Sequence, residues 1–366
     1  MQLFSIRGIH IDGIVACVPE NKVYNEASLR EMYGDEAQLI IESTGIEARY
    51  QATPGTSSSD LCIACAKDLM KGTGAKPEEI GGVIFITFTP DFLMPFNAAL
   101  VQEQLGLSKE IPAFDISLAC SGYAYGLYVA ALFARASGKK VLLLDGDIQS
   151  AYLSGKDKST VPVLSDGGSA TLVSPEGTDT EWIFSFYTDG SGKGALTIPA
   201  GGSAAPVKTE DLAYQTFADG SKRRNVDICM DGFAVFKFVA MDVSNWLLRF
   251  LDAVNENAGT LNYFIPHQPN MYMIKKLAKK LGFAWEKTWH SGETVGNAGS
   301  ASLPTTISLC ADSMLYETDR ISKVLISGFG AGLSASAGII TLDSKAYYKF
   351  FQYKGVEAKG QQYDNG

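Results

Sequence analysis

Short apolar runs along this chain alternate with stretches in which apolar residues recur at helical spacing. Runs of the first kind occupy residues 82–89 and 140–145 in the first half of the chain, and residues 261–265 and 323–327 in the second. Continuous apolar runs of this length are typical of strands that are covered on both faces. Strands that alternate with helices in this way predict an α/β fold with buried sheets.

The order of these elements occurs twice. Ile86, in a strand-like run, lies 34 residues before Cys120, and Phe264, in a second such run, lies 33 residues before Asn297. A helical pattern follows Cys120 and another follows Asn297. Self-similarity of this kind predicts two halves related by a pseudo-twofold axis, with Cys120 and Asn297 at equivalent helix N-termini that face one pocket.

The two halves are predicted to span residues 1–176 and 177–343, because residues 175–180 form a turn-like stretch between them. Residues 344–366 resemble a tail that carries several aromatic side chains and ends in a frayed segment. The polar stretch 201–224 contains no clear pattern, so we expect an elaborated loop there.

Composition excludes several classes of protein. The chain has 366 residues and a net charge of −9, and an acidic surface disfavours nucleic acid as a partner. It contains no apolar run of about 18 residues and no signal-peptide pattern at its N-terminus, so we expect a cytoplasmic protein outside the membrane. Six cysteines in so long a chain do not predict a disulfide framework. Cys62 and Cys65 lack a second pair or nearby histidines, which favours core packing over a metal site.

Cys120 is the leading candidate for chemistry. It follows a strand-like stretch at residues 111–118 and precedes a helical pattern at residues 123–136. The positive end of a helix dipole favours a thiolate, and the small neighbours of this cysteine would let a substrate approach. His267 and Asn297 supply two further polar side chains, and the three residue types together indicate acyl-thioester chemistry.

Four motifs resemble those of the β-ketoacyl-ACP synthase III family, which has the thiolase fold. They are ACSG at residues 119–122, PHQPN at 266–270, GNAGSAS at 296–302 and GFGAG at 328–332. They occur in the family's order and at matching separations, and the resemblance covers about residues 8–342. It implies two thiolase-like halves in an αβαβα layered arrangement.

The resemblance also implies a role for each motif. Cys120 would attack an acyl thioester and hold the acyl group, while the backbone N–H groups of Cys120 and Gly330 would stabilise the tetrahedral oxyanion. His267 and Asn297 would hold the enolate oxygen that forms when a malonyl thioester loses CO₂. The reaction would be a decarboxylative condensation with malonyl-ACP, in the biosynthesis of fatty acids, specialised lipids or secondary metabolites. No cofactor or metal is implied, only acyl-CoA or acyl-ACP and malonyl-ACP as substrates, and the fold implies a homodimer.

Three positions depart from the family pattern. Leu39 stands where the family has a tryptophan that stacks on coenzyme A, and Ser43 stands where it has an arginine. Tyr272 replaces a second arginine that binds the carrier or the CoA phosphates. Leucine offers no flat π-face and serine cannot pair with phosphate in a bidentate manner, so acetyl-CoA priming is in doubt.

Carrier binding and acyl length are assigned by the same resemblance. An acidic carrier protein requires a locally basic docking face, and the candidate residues are Lys237, Lys275, Lys276, Lys279 and Lys280. An ordinary solvated helix face would have the same pattern. In the family, the segment after the second strand limits acyl length, partly across the dimer, and here it offers Met94 and Phe96.

Three alternatives remain open from the sequence. An acyl group on Cys120 could pass to an alcohol, an amine or another acceptor that is not malonyl. The separation of 147 residues between Cys120 and His267 also fits a papain-type hydrolase, although the local motif of those enzymes is absent. A non-catalytic partner subunit of a condensing enzyme is the third.

Overall fold

The computed structural model describes residues 1–175, 180–315 and 321–355. In these ranges the strands are β1 (Phe4–Arg7), β2 (His10–Pro19), β3 (Lys22–Tyr24), β4 (Ala48–Tyr50), β5 (Ile80–Ile86), β6 (Ala113–Ile116), β7 (Lys140–Asp147), β8 (Gly167–Ser174), β9 (Glu181–Thr188), β10 (Leu196–Thr197), β11 (Gln215–Thr216), β12 (Lys222–Arg223), β13 (Cys229–Met230), β14 (Tyr263–Pro266), β15 (Ile321–Gly330), β16 (Ser334–Asp343) and β17 (Tyr347–Tyr353). The α-helices are α1 (Asn25–Tyr33), α2 (Glu36–Thr44), α3 (Ser58–Thr73), α4 (Asn97–Gln104), α5 (Gly122–Ser137), α6 (Gly232–Lys237), α7 (Ser244–Ala253), α8 (Met271–Leu281), α9 (Gly292–Val295) and α10 (Ser302–Met314).

Two large sheets have the same internal order. The first runs β17-β2-β8-β7-β5-β6 and the second runs β1-β9-β16-β15-β14. In the first, β5 lies parallel to β7, which is antiparallel to β8, which is antiparallel to β2. In the second, β14, β15, β16 and β9 repeat these directions. The pseudo-twofold relation predicted from the spacing of the elements is therefore confirmed.

The sheets and helices form five layers. Helices α5 and α10 lie between the two sheets in one core that includes Leu127, Leu143, Ile307 and Ile326. Helix α3 covers the outer face of the first sheet, and helices α7 and α8 cover the outer face of the second. Because both faces of each sheet are covered, strands such as β5 and β8 are buried at every position. The predicted αβαβα arrangement is confirmed.

The predicted boundary between the halves falls between Ser174, the last residue of β8, and Glu181, the first residue of β9. Residues 176–179 of that boundary lie outside the described residues.

The C-terminal stretch differs from the predicted tail. Strand β17 pairs in parallel with β2 and becomes an edge of the first sheet. The Tyr347 hydroxyl donates a hydrogen bond to Asp68 Oδ1 at 2.9 Å, and Gly72 leaves room for the ring, which would lie 2.3 Å from a Cβ at that position. The aromatic residues thus supply a strand that packs on α3. The segment predicted to fray, residues 356–366, lies outside the described residues.

The predicted loop at 201–224 contains the short hairpin of β11 and β12. An ion pair between Arg223 Nε and Asp157 Oδ2, 2.9 Å apart and both buried, ties this insertion to the body of the chain. Nearby, Arg224 pairs with Asp227 at 2.6 Å. Charged side chains that are paired in this way order a segment that has little apolar patterning of its own.

Two further findings concern partners. None of the helices in the described ranges is long and apolar enough to cross a membrane. Within the same ranges, no group of three His, Cys, Asp or Glu side chains is arranged to hold a metal ion. Cys62 and Cys65 are both buried in the core under α3.

Candidate active site

Cys120 lies in the tight turn between β6 and α5. The Gly122 N–H donates to Ala119 O at 2.7 Å, and the helix begins at Gly122. The cysteine is buried and borders a cavity of about 630 Å³ that His267 and Asn297 also line. The structure therefore brings together the three predicted side chains. The first half of the chain supplies Cys120, and the second half supplies His267 and Asn297.

Strands β15 and β16 press against this turn. A Cβ on Gly328 would lie 2.6 Å from Cys120 O, and one on Gly330 would lie 2.8 Å from Cys120 Cβ. Ser336 Oγ donates to Ser121 O at 2.8 Å, and the Ser121 and Ser334 hydroxyls lie 2.7 Å apart. Gly328 and Gly330 of the GFGAG motif therefore allow this close approach, which places the Gly330 backbone beside Cys120.

Gly330→Ala is expected to slow acylation of Cys120 by about 100-fold, because the added methyl group must displace the nucleophile or the strand that carries an oxyanion donor. Gly190→Ala is a matched control, since nothing lies within 4 Å of a Cβ there. Single-turnover acylation, followed by intact mass, measures the effect. Acylation of the Gly330 variant at the wild-type rate would mean that the backbone relaxes freely at this point.

His267 follows directly after β14 and is fixed on three sides. Its backbone N–H donates to Ser327 O at 2.7 Å. Its ring packs edge-on against the Phe329 ring, with centroids 5.5 Å apart. Nδ1 lies 2.6 Å from Ser302 Oγ, which leaves Nε2 as the ring nitrogen available to substrate. Ser302 was not singled out from the sequence, although it is the last residue of the GNAGSAS motif.

Asn297 is held in a turn before α10. Its Oδ1 accepts the Gly299 N–H at 3.0 Å, while its backbone O accepts Gln149 Nε2 at 2.7 Å. The side chain lines the cavity together with Cys120, and hydrogen bonding from it lowers the pKa of that thiol. Gln149 lines the cavity and was missed from the sequence, since a single glutamine beyond a strand carries no distinguishing pattern.

Burial sets the protonation states of the site. It raises the pKa of Cys120 to about 12, and the carboxylate of Asp147 raises that pKa further, against hydrogen bonds from the Cys120 N–H and Asn297. Burial lowers the pKa of His267 to about 3. The resting pair is thus a thiol and a neutral imidazole. The expected preference for a thiolate is not found in the free site, because desolvation outweighs the groups that favour the charge.

Comparisons with known proteins agree with this geometry. The family described as 3-oxoacyl-[acyl-carrier-protein (ACP)] synthase III matches residues 114–192, and its C-terminal part matches residues 251–342. A β-ketoacyl-[acyl-carrier-protein] synthase III of Desulfitobacterium hafniense is 32% identical over 334 residues, 91% of this chain and 97% of that relative. This chain belongs to the β-ketoacyl-ACP synthase III family.

Solved structures give the same result. A 3-oxoacyl-(acyl-carrier protein) synthase of Burkholderia xenovorans superposes with a TM-score of 0.88 at 27% identity, over 96% of this chain and 99% of that one. A second structure, a 3-oxoacyl-(acyl-carrier-protein) synthase III, gives 0.87 at 30% identity, over 92% of this chain and 100% of that one. The chain is therefore a condensing enzyme with the thiolase fold.

Met94 and Phe96, predicted to limit acyl length, lie on the surface of their own subunit. Met94 and Phe96 do not line the cavity, and they are 87% and 47% exposed. The loop that carries them turns away over the surface after β5 and before α4. The apolar wall of the cavity is made by other side chains, namely Phe88, Leu164, Leu196, Ile198 and Ile228. Met94 and Phe96 therefore do not contribute to the wall of this cavity within their own subunit, and their role in limiting acyl length across a dimer stays a prediction.

At the cavity mouth, Leu39, Ser43 and Tyr272 replace the aromatic and basic residues of the family pattern. One basic side chain, that of Lys158, is still present at the cavity. Leu39 is 68% exposed and Ser43 lines the cavity, while Tyr272 lies on the surface of α8. Lys158 also lines the cavity, with Nζ 2.6 Å from Glu36 Oε2. This lysine was missed from the sequence, because it lies in a polar loop where a charged residue is ordinary.

The predicted docking lysines share an exposed surface. Lys237 lies on α6, and Lys275, Lys276, Lys279 and Lys280 lie on α8. None of the five forms an ion pair within the described part of the chain. A surface depression bordered by three of them shares Val239 and Met273 with the catalytic cavity. The basic surface and the cavity mouth are therefore continuous.

Proposed function

We propose that this enzyme acylates Cys120 from an acyl-CoA or acyl-ACP and then condenses the acyl group with malonyl-ACP, with release of CO₂, in the cytoplasm. The observation that carries the proposal is the meeting of Cys120, His267 and Asn297 in one buried cavity. The sulfur is a nucleophile, and the other two side chains are neutral hydrogen-bond donors. Fatty-acid or specialised-lipid biosynthesis is the context that fits this chemistry.

In the first step the Cys120 sulfur attacks the thioester carbonyl. The C–S bond to Cys120 forms, the bond to the donor thiol breaks, and the thiol proton leaves with that group. Because the pKa of Cys120 is raised to about 12, this proton must move as the sulfur attacks. Backbone N–H groups of Cys120 and Gly330, brought close by the glycine contact, would stabilise the oxyanion.

In the second step malonyl-ACP loses CO₂ and its electron pair passes into the thioester as an enolate. Asn297 Nδ2 and His267 Nε2 would hold the enolate oxygen. The enolate carbon then attacks the acyl-Cys120 carbonyl, the C–S bond breaks, and the released sulfur takes one proton from solvent. A neutral His267, whose pKa burial lowers to about 3, can donate through Nε2 when Ser302 Oγ donates to Nδ1.

The reaction is tested with a panel of acyl-CoA and acyl-ACP donors, each paired with malonyl-ACP. We expect one acyl adduct on the protein and one CO₂ released for each 3-oxoacyl-ACP formed. Alcohols and amines, offered as acceptors in place of malonyl-ACP, test acyl transfer without decarboxylation. Formation of an ester or amide without CO₂ would replace the proposed reaction, and no adduct from any donor with folded protein would overturn acylation of Cys120.

We also propose that the basic surface binds acyl carrier protein. The double variant Lys276→Glu and Lys279→Glu should raise KM for malonyl-ACP by about tenfold at low salt, with little change in kcat, because exposed charges mainly govern encounter. Lys67→Glu, an exposed lysine on α3, is the matched control. An unchanged KM in the double variant would mean that these lysines do not bind the carrier and form an ordinary solvated helix face.

A second copy of the chain is proposed to pair along strand β6. This strand is the edge of the first sheet, and its residues are only half-buried. Next to it lies a loop of exposed apolar side chains, namely Phe92, Leu93, Met94 and Phe96. Open strand edges and exposed apolar patches are both typical of interfaces. In such a dimer Met94 and Phe96 face the partner subunit.

Leu93→Glu combined with Met94→Glu is therefore expected to convert a dimer into a monomer in sedimentation velocity at micromolar concentration, since two charges would be buried at the interface. The exposed Val207→Glu is the control. A wild-type protein that sediments as a monomer would contradict the interface.

A further inference from the structure

Asp147 is a buried carboxylate in contact with both halves of the enzyme. It ends β7 and is fully buried. Its Oδ1 accepts hydrogen bonds from the Phe88 N–H at 2.9 Å and from Thr87 Oγ1 at 3.0 Å. Its Oδ2 accepts the Ser300 N–H at 2.9 Å and Ser300 Oγ at 2.8 Å. One side chain thus joins the end of β5 in the first half to the turn before α10 in the second.

The turn on the Oδ2 side is the one that carries Asn297. Gly299, between Asn297 and Ser300, has a φ of +61° and packs on the carboxylate, so that a Cβ there would lie 2.5 Å from Asp147 Oδ2. The same glycine donates its N–H to Asn297 Oδ1 at 3.0 Å, which orients the amide. The contacts therefore run from Asp147 through Gly299 and Ser300 to Asn297, whose side chain lines the same cavity as Cys120.

The Oδ1 side reaches the cavity as well. Phe88 lines the cavity wall, and its backbone N–H is held by Asp147. With a further bond from Thr89 Oγ1 to Oδ1 at 3.4 Å, the buried carboxylate accepts five hydrogen bonds. It fixes the groups that supply them, because a buried donor that loses its acceptor is costly.

We propose that Asp147 is a positioning residue for the condensation step, holding the Asn297 amide against the Cys120 sulfur from the opposite half of the enzyme. This inference rests on the proposed function. Burial raises the pKa of Asp147 to about 6, against the lowering effect of its hydrogen bonds from Ser300, Phe88 and Thr87, so the group is mainly ionised at neutral pH. Its negative charge then disfavours a thiolate on Cys120, whereas Asn297 favours one.

Asp147→Asn tests both effects, because an amide group keeps the size of the side chain, loses the charge and turns an N–H₂ towards a backbone N–H. We expect condensation of preformed acyl-enzyme with malonyl-ACP to slow by at least about 30-fold, while acylation changes by less than about threefold. Alkylation of Cys120 by iodoacetamide at pH 8 should accelerate by about tenfold, since removal of the nearby negative charge favours the thiolate. Asp145 and Cys62 are titratable groups near Asp147, and His267 lies with Cys120 on the cavity; all three remain in this variant.

Two further variants separate positioning from charge. Ser300→Ala removes a bond to Oδ2 but keeps the carboxylate, so condensation should slow by about tenfold with an unchanged alkylation rate. Asp145→Asn is the matched control: it is buried on the same strand, but its carboxylate has no hydrogen-bond partner within the described residues. We expect wild-type condensation and alkylation from it.

Equal loss of acylation and condensation in Asp147→Asn, with no change in alkylation, would reduce Asp147 to a structural role and overturn the proposal. Wild-type condensation by Ser300→Ala would overturn it as well, and this variant decides the matter if Asp147→Asn does not fold. Failure of the proposed function itself is distinguishable, because the wild-type enzyme would then form no 3-oxoacyl product while the alkylation rates still compare the charges around Cys120.

Discussion

Cys120→Ala is expected to abolish acyl-enzyme formation with every donor. The sulfur is the nucleophilic atom at the cavity in which His267 and Asn297 meet, and the methyl group of alanine cannot form the thioester. Intact-protein mass spectrometry after incubation with acyl-CoA or acyl-ACP measures this directly, as the loss of a mass increment of one acyl group. Turnover should fall below detection.

Cys229→Ala is the control for this experiment. Cys229 is only partly buried, so chemical accessibility alone would make it a better target than Cys120. We expect it to keep the adduct at the wild-type level, because it lacks the donors that stabilise an oxyanion. A stoichiometric adduct that persists in Cys120→Ala would move the nucleophile to another residue and contradict the assignment of Cys120.

The two halves could be predicted from the sequence because each half must bury the same kind of sheet. Covered strands such as β5 and β14 have to be apolar throughout, so their positions are visible as apolar runs. The functional turns follow those runs at fixed distances. The family and its fold, predicted from the four motifs, are confirmed by the family matches and the superposed structures. Family membership in turn removes the support for the papain-type hydrolase.

The residues that line the cavity far from these motifs could not be predicted. Lys158 and Gln149 lie in an irregular stretch after β7, and their side chains reach the cavity only through tertiary packing. The loop that carries Met94 and Phe96 points outwards from the folded subunit, so their predicted role in limiting acyl length depends on the proposed partner subunit. Sequence position indicates which strand a loop follows, but it does not give the direction in which the loop leaves.

Strand β17 could not be predicted from the sequence for a similar reason. It forms because β2 offers an edge on which it pairs, and because Gly13 and Gly72 leave room for Tyr347. The pattern of residues within a segment cannot indicate that it will pair with a sheet edge formed some 330 residues earlier in the chain. The sequence predicts a thiolate at Cys120, whereas burial favours the thiol. The helix N-terminus can be predicted from sequence, but the depth at which the thiol is buried cannot.

His267→Ala and Asn297→Ala are expected to separate the two steps of the reaction. Each variant should reduce condensation of preformed acyl-enzyme with malonyl-ACP by about 100- to 1,000-fold, the usual cost of one lost oxyanion donor. Acylation should fall by less than about tenfold, because neither substitution removes the oxyanion donors proposed for that step, the backbone N–H groups of Cys120 and Gly330. Rapid-quench measurement of each step alone gives both numbers.

The neutral state of His267 sharpens this expectation. Since burial lowers the pKa of His267 to about 3, no protonation of the imidazole should appear between pH 6 and 9, and condensation should not lose a donor as pH rises through that range. His267→Gln provides the rescue variant, because its amide can offer an N–H without a titratable group, and it should recover part of the rate that His267→Ala loses. Equal losses of acylation and condensation in both alanine variants would contradict separate roles. They would indicate instead that His267 and Asn297 act together on the Cys120 thiol. The two side chains would then control the raised pKa of that thiol and not the stability of the enolate.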